Sequence, residues 1–403
     1  MTAQKFHQFL KQFRLNDSSA KTRCEKVEIN GQLIPVFINE FWTAQQRQAN
    51  AIHEVSYRAC FKPQLPDFFI QLFTKKGDTV YDPFNGRGTT VIEAALHGRN
   101  IIANDVNPLS LVLTQPRIEI PEWNTIEKRL YKIELSKKAK ADIDLSMFYQ
   151  KETLGEIVSL KNYLQERLNS GKEDAADRWI RMVATNRLTG HSKGFFSVYT
   201  LPPNQAISAA RQLKINAQKN QQPEYRDIKK LILNKSASLL KKVDVKKNRV
   251  LHQFLNGDAA QTKKIKSNSV ALTVTSPPFL DVVQYAEDNW LRCWFNCIDV
   301  KQVAAKITMS KTVEEWSYKM QQVFYELHRI TRSGGVVAFE VGEVRHGKIK
   351  LEEAVIPLGI EAGFICDCVL INEQEFTKTA NIWGVSNNRS GTNSNRIVVF
   401  RKL

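Results

Sequence analysis

Several things are missing from this 403-residue chain, and each omission narrows what it can be. No uninterrupted apolar run reaches the roughly eighteen residues that a membrane-spanning helix needs. The start, Met1-Thr-Ala-Gln-Lys-Phe-His7, has neither the charged head nor the apolar stretch of a secretory signal, so a cytoplasmic protein is expected. The six cysteines, Cys24, Cys60, Cys293, Cys297, Cys366 and Cys368, contain no C-x-x-C pair and stand near no histidine cluster at ligand spacing. Neither a zinc site nor a disulfide framework is expected. Cys366-Asp367-Cys368 falls in a strand-like run, where alternation puts both sulfurs on one buried face. There is also no internal repeat and no low-complexity tract.

Acidic residues are the scarcer charge. Against 41 Asp and Glu stand 58 Lys and Arg, a formal net charge of +17, which favours a polyanionic partner without identifying it. With 42% hydrophobic residues the chain can bury an ordinary core in one large or two medium domains.

The clearest organisation lies between residues 64 and 106. The pattern predicts a helix over Leu65–Phe73, a strand over Thr79–Tyr81, a glycine-containing turn, a helix over Thr90–Leu96 and a strand over Ile101–Asn104. That is a βαβ unit of a parallel sheet. Long polar stretches with helical spacing follow, including Leu154–Leu168 and Asp227–Lys242, before strand and helix alternation resumes at Val250. The expected organisation is an N-terminal segment without an assigned role (1–57), a domain carrying the strand and helix alternation (58–106 and 250–403) and a mainly helical insertion (107–249) that is the candidate recognition region for the polyanionic partner.

Two motifs carry chemistry. The turn Asp82-Pro83-Phe84-Asn85-Gly86-Arg87-Gly88-Thr89-Thr90 joins a strand to a helix, where glycines let a ligand approach free backbone amides. Asp105 ends the next strand, the position from which a carboxylate reaches ribose hydroxyls in nucleotide-binding sheets. Downstream, Ser276-Pro277-Pro278-Phe279 directly follows the strand-like Ala271–Thr275. The tetrapeptide resembles the motif of amino-methylating enzymes, which implies an exocyclic base amine as target, a poor nucleophile whose site needs acceptors fixed in place. The Ser276 hydroxyl and the Pro277 carbonyl can supply them, on a backbone stiffened by consecutive prolines. Phe279 offers a flat face for a base taken out of its stack.

In these two motifs the sequence resembles the class I S-adenosylmethionine-dependent DNA amino-methyltransferases, over residues 58–110 and 250–403. The resemblance implies an α/β, Rossmann-like sheet and S-adenosyl-L-methionine as cofactor. It implies a cofactor site at Asp82, Phe84, Gly86, Gly88, Thr89, Thr90 and Asp105, at Asp258 of the Asn256-Gly257-Asp258-Ala259 turn, and at Lys62 and Pro63 upstream. It assigns catalysis to Ser276, Pro277, Pro278 and Phe279. Serine at the head of that motif is similar to the N4-cytosine branch, with adenine N6 as the sister branch and an RNA amine as a further alternative. The absence of a Pro-Cys dipeptide counts against carbon-5 methylation, which uses a thiolate. A non-catalytic nucleic-acid-binding module with a relict pocket is a third reading, against which the intact motifs count. Here the cofactor motif precedes the catalytic one, the reverse of the commonest N4-cytosine order.

The implied partners are double-stranded DNA and a cognate restriction endonuclease acting on the same site. Arg187, His191, Lys193 and Tyr199, in a segment mixing cations with aromatics, are candidates for contacting DNA. Tyr285 and Arg292, after the catalytic motif, are further candidates.

Overall fold

The computed structural model describes residues 1–16, 21–43, 50–58, 60–201, 206–241, 250–278, 288–307, 310, 312–341, 343–344, 349–373 and 394–403. Phe279 and Tyr285 lie outside the described residues. The chain begins with helix α1 (Ala3–Gln12) and strands β1 (Arg23–Ile29) and β2 (Gln32–Asn39), then runs through α2 (Gln64–Phe73), β3 (Thr79–Asp82), α3 (Thr89–Leu96) and β4 (Asn100–Asp105). Six helices follow: α4 (Leu109–Thr114), α5 (Trp123–Lys132), α6 (Lys151–Asn169), α7 (Ala175–Arg187), α8 (Ala209–Gln218) and α9 (Ile228–Leu240). Next come β5 (His252–Asn256), β6 (Val270–Thr275), α10 (Trp290–Phe295), α11 (Val300–Lys306), α12 (Val313–Ile330) and β7 (Thr331–Val341). After the short pair β8 (Glu343–Val344) and β9 (Ile349–Lys350), the chain closes with α13 (Leu351–Glu361), β10 (Ile365–Glu373) and β11 (Ser394–Arg401).

Among the described residues nine strands form one sheet in the order β1-β2-β10-β11-β7-β6-β3-β4-β5. From β7 through β6, β3 and β4 to β5 every neighbour is parallel, while β11 is antiparallel to both β7 and β10. The expected α/β, Rossmann-like sheet with a mainly helical insertion is therefore the observed one. Strand β6 is buried at every position, as a strand covered by helices on both faces must be. The chain runs outward from β3 to β4 and β5, then returns to the other side of β3 as β6. This reversal leaves a crevice at the C-terminal ends of β3 and β6, where open α/β sheets hold ligands.

Part of the N-terminal segment is sheet. Asn30 and Gly31, at φ 50° and 76°, make the tight turn between β1 and β2, and β2 pairs in parallel with β10. The Asn-Gly pair was the available sequence signal for this hairpin.

Cysteine placement departs from simple alternation. The register between β10 and β11 shifts between Cys366 and Cys368. Cys366 consequently packs with Val369 and Ile371 on one face of the sheet, and Cys368 with Leu370 on the other. Both thiols are buried as expected, but the bulge separates them. It also aims Asp367 at Arg401, whose guanidinium donates to Oδ2 at 2.6 and 2.9 Å.

The helices after β4 enclose their own core. It reaches beyond residues 107–249, taking in Ile52 and Val55 from upstream and Leu291 and Phe295 from α10. No helix among the described residues is long and apolar enough to cross a membrane.

Candidate active site

The turn after β3 is fixed from three sides. Asp82 is buried, and its Oδ1 accepts from the Phe84 amide (3.2 Å) and the Thr275 hydroxyl (2.7 Å), tying the turn to β6. Burial pushes the Asp82 carboxyl up to about 7, against the hydrogen bonds that favour its charged form. From β4, Asp105 Oδ2 accepts from the Gly86 amide (2.7 Å) and Oδ1 from the Asn107 amide (2.9 Å). Burial raises Asp105 to about 6. On the third side Arg87 donates to the carbonyls of Val55 (2.9 Å) and Phe61 (3.3 Å). Arg117 donates to the carbonyls of Ile52 (3.2 Å) and Arg87, so the two arginines clamp Ile52, Val55 and Phe61 onto the turn. Neither arginine stood out in the sequence, because nothing local marks an arginine whose partners are distant carbonyls.

A cavity of about 660 Å³ opens at the crevice. Its wall contains Asp82, Phe84, Gly86, Thr89 and Asp105 from the first motif, and Asp258 beyond β5. Ser276 and Pro278, beyond β6, complete the opposite side. Asp258 is exposed and its Oδ1 accepts from the Ala260 amide at 2.9 Å, which fixes the local turn. Pro277 is buried beside them, and the buried Trp316 of α12 donates to the Pro278 carbonyl (2.9 Å), anchoring the Ser-Pro-Pro motif from outside it.

Four expected cofactor residues do not reach the cavity wall. Gly88 is needed for packing, since a Cβ there would fall 2.5 Å from Thr114 Oγ1. The Thr90 hydroxyl donates to the Val274 carbonyl (3.0 Å), joining α3 to β6. Pro63 is the buried residue that opens α2, and Lys62 precedes it half-buried. The chain turns into the helix there, so Cys60 and Phe61 face the cavity instead.

A buried carboxyl that the sequence did not reveal stands beside the motif. Glu340, near the end of β7, is raised to about 7 by burial, against hydrogen bonds from Asn395 and the Ser276 hydroxyl.

Residues 14–114 match a family model described as DNA methylase. The chain is 25% identical to the Type II methyltransferase M.BsoBI of Geobacillus stearothermophilus over 318 residues, 69% of this chain and 59% of that protein. To the Type II methyltransferase M.BglI of Bacillus subtilis it is 37% identical over 78 residues, 19% of this chain and 21% of that protein. The chain thus covers less than two thirds of either relative. Among solved structures it is similar to a SAM-dependent methyltransferase of Methanosarcina mazei, with TM-score 0.34 and 9% identity over 83% of this chain and 97% of that one.

Of the candidate DNA-contacting residues, Arg187, His191, Lys193, Tyr199 and Arg292 do not line the cavity. Arg187 lies 4.0 Å over the Phe195 ring, and Lys219 Nζ lies 4.4 Å over the Tyr199 ring, so much of that segment packs on its own aromatics. His191 and Lys193 remain exposed. Arg292 corrects the expectation. It is 6% exposed within the helical core and donates to Asn289 Oδ1 (3.0 Å), and burial lowers its pKa to about 10. Its side chain does not reach a surface that could meet a phosphate.

Proposed function

We propose that this chain transfers the methyl group of S-adenosyl-L-methionine to the exocyclic N4 amine of cytosine in double-stranded DNA, acting directly on a base turned out of the duplex. The observation that carries the reading is the shared cavity. The glycine turn with Asp105 and the Ser276-Pro277-Pro278 motif open into the same space, as a transfer between two bound molecules requires.

The residues present fit the cofactor. Two wall residues hold buried polar atoms with no partner among the described residues, Asn85 Oδ1 and Asn107 Nδ2, as a polar ligand needs. Gly86 adds no side chain between the turn and the cavity, and the Asp105 and Asp258 carboxylates can accept from hydroxyl and amine donors. Once bound, S-adenosyl-L-methionine supplies an electrophilic methyl group. The Ser276 hydroxyl and the Pro277 carbonyl take the hydrogens of the target amine and turn its lone pair away from the ring. Phe279 stacks on the base. Exposed His191 and Lys193 meet the phosphates, and a restriction endonuclease reading the same site is the partner in this scheme.

The branch choice rests on Ser276, the residue that heads the motif in the N4-cytosine type. Incubating the protein with methyl-labelled cofactor and duplex DNA, then identifying the labelled nucleoside by mass, tests it. N4-methylcytosine is the expected product, and N6-methyladenine moves the enzyme to the sister branch. Label in 5-methylcytosine refutes the assignment, and label in structured RNA alone replaces the substrate.

A further inference from the structure

The Glu340 carboxyl beside Ser276 follows from strand register. Strands β6 and β7 run parallel with Thr275 opposite Phe339, so the next residues, Ser276 and Glu340, face each other where the strands end. They also share a side of the sheet. Leu272 and Val274 on β6, Val336 and Ala338 on β7, and Ile397 and Val399 on β11 all pack into one core. Alternation along each strand puts Ser276, Glu340 and Asn395 next on that side. Three apolar rows thus end in a hydroxyl, a carboxyl and an amide. Asn395 Nδ2 donates to Glu340 Oε1, and the Ser276 hydroxyl is its second partner.

Resting on the function proposed above, we infer that Glu340 is a positioning residue that orients the Ser276 hydroxyl and, through it, takes the proton released when the target amine is methylated. As the nitrogen–carbon bond forms, the methyl carbon–sulfur bond breaks and its electron pair stays on sulfur. The amine nitrogen then carries one proton too many. That proton passes to Ser276 Oγ as the hydroxyl proton passes to the Glu340 carboxylate, leaving a neutral acid that later returns the proton to water. Serine alone cannot end this sequence, because a hydroxyl is too weak a base to keep the proton.

Two features favour an acidic role over mere bracing. A buried carboxyl with no counter-cation among the described residues costs folding free energy, and a glutamine would brace the same two neighbours without that cost, accepting from Asn395 and donating its amide to Ser276 Oγ. The described groups acting on Glu340 are the Asn395 amide from β11 and the Ser276 hydroxyl just past β6, with no lysine, arginine, histidine or second carboxylate among them. Burial therefore leaves an acid that titrates near neutral pH, suited to accepting a proton and giving it up.

The test compares the wild-type chain with Glu340→Gln, Glu340→Asp and Ser276→Ala. In the cofactor-free protein, whose buried Asp82 also titrates near 7, infrared difference spectra are expected to lose one carboxylic-acid component near pH 7 in Glu340→Gln and to show that component at higher pH in Ser276→Ala. Single-turnover methyl transfer is expected to fall below about pH 7 in the wild type, and to be slower by about 10²- to 10⁴-fold and without that acid limb in Glu340→Gln. Glu340→Asp should recover part of the rate together with the limb, while calorimetry finds cofactor and DNA affinity retained in all three variants. A Glu340→Gln enzyme with the wild-type rate and pH profile overturns the inference, as does a band that ignores Ser276→Ala. A wild-type protein that methylates no nucleic acid refutes the proposed function itself, and the inference falls with it.

Discussion

Gly88 and Thr114 lie so close that no side chain fits between them: a Cβ at position 88 would fall 2.5 Å from Thr114 Oγ1 and 2.7 Å from Cγ2. Gly88 also holds φ +84°, in the left-handed region. Gly86, two residues earlier at φ +51°, faces the cavity, and its nearest neighbour to such a Cβ is a Tyr57 ring carbon at 3.6 Å. The two glycines of one motif thus do different work. Gly88→Ala is expected to lower unfolding free energy by about 2 to 4 kcal/mol, from left-handed strain plus overpacking. Gly86→Ala should cost only the strain, about 1 to 2 kcal/mol, while weakening cofactor binding more than Gly88→Ala does. Denaturation and calorimetry on the two variants check the contrast.

Asp105 predicts a pH dependence of cofactor affinity. Its carboxyl is raised to about 6, and only the charged form accepts hydrogens at both oxygens. Affinity should hold above pH 7 and fall as pH drops through 6, by up to about tenfold per pH unit. Asp105→Asn should bind weakly and flatten that dependence in calorimetry between pH 5 and 8.

Ser276→Ala separates chemistry from binding. Losing both the acceptor for the target amine and the relay to Glu340 should slow methyl transfer at least as much as Glu340→Gln does, by about 10²- to 10⁴-fold, equivalent to about 3 to 5 kcal/mol. Cofactor and DNA affinity should stay near wild type.

Stability should respond to pH through α3. Hydrogen bonds to Asp67 (2.7 Å) and Glu93 raise His97 to about 9, so its stabilising effect is complete below about 6.5 and fades as pH rises through 9. Burial opposes ionisation of Glu93, but hydrogen bonds from His53 and His97 prevail and hold it at about 2. That contribution is lost as pH falls from about 4.5 through 2. His97→Asn should remove the alkaline loss measured by thermal unfolding between pH 7 and 10.

DNA affinity should fall steeply with salt, because neutralising phosphates releases counterions. If exposed Lys193 meets a phosphate, Lys193→Gln should make the slope of log affinity against log salt shallower by about one. An unchanged slope would move the DNA-contacting face away from that segment.

The sequence itself determined the βαβ unit, the glycine turn, the motif after β6 and the basic excess. Each is written in neighbouring residues: apolar spacing marks a strand or helix, and glycine or proline marks where backbone freedom is required or removed. Tertiary structure decided everything that depended on distant partners. Gly86 and Gly88 look alike in the motif, and only Thr114, brought over from α4, makes one of them a packing residue. Alternation placed Cys366 and Cys368 together, and the bulge against β11 put them apart. Arg292 reads as a surface cation until the helical core closes over it. Glu340 stands 64 positions from Ser276 (340 minus 276), and no local pattern links them. Strand pairing between β6 and β7 sets them side by side, because register acts across the sheet rather than along the chain.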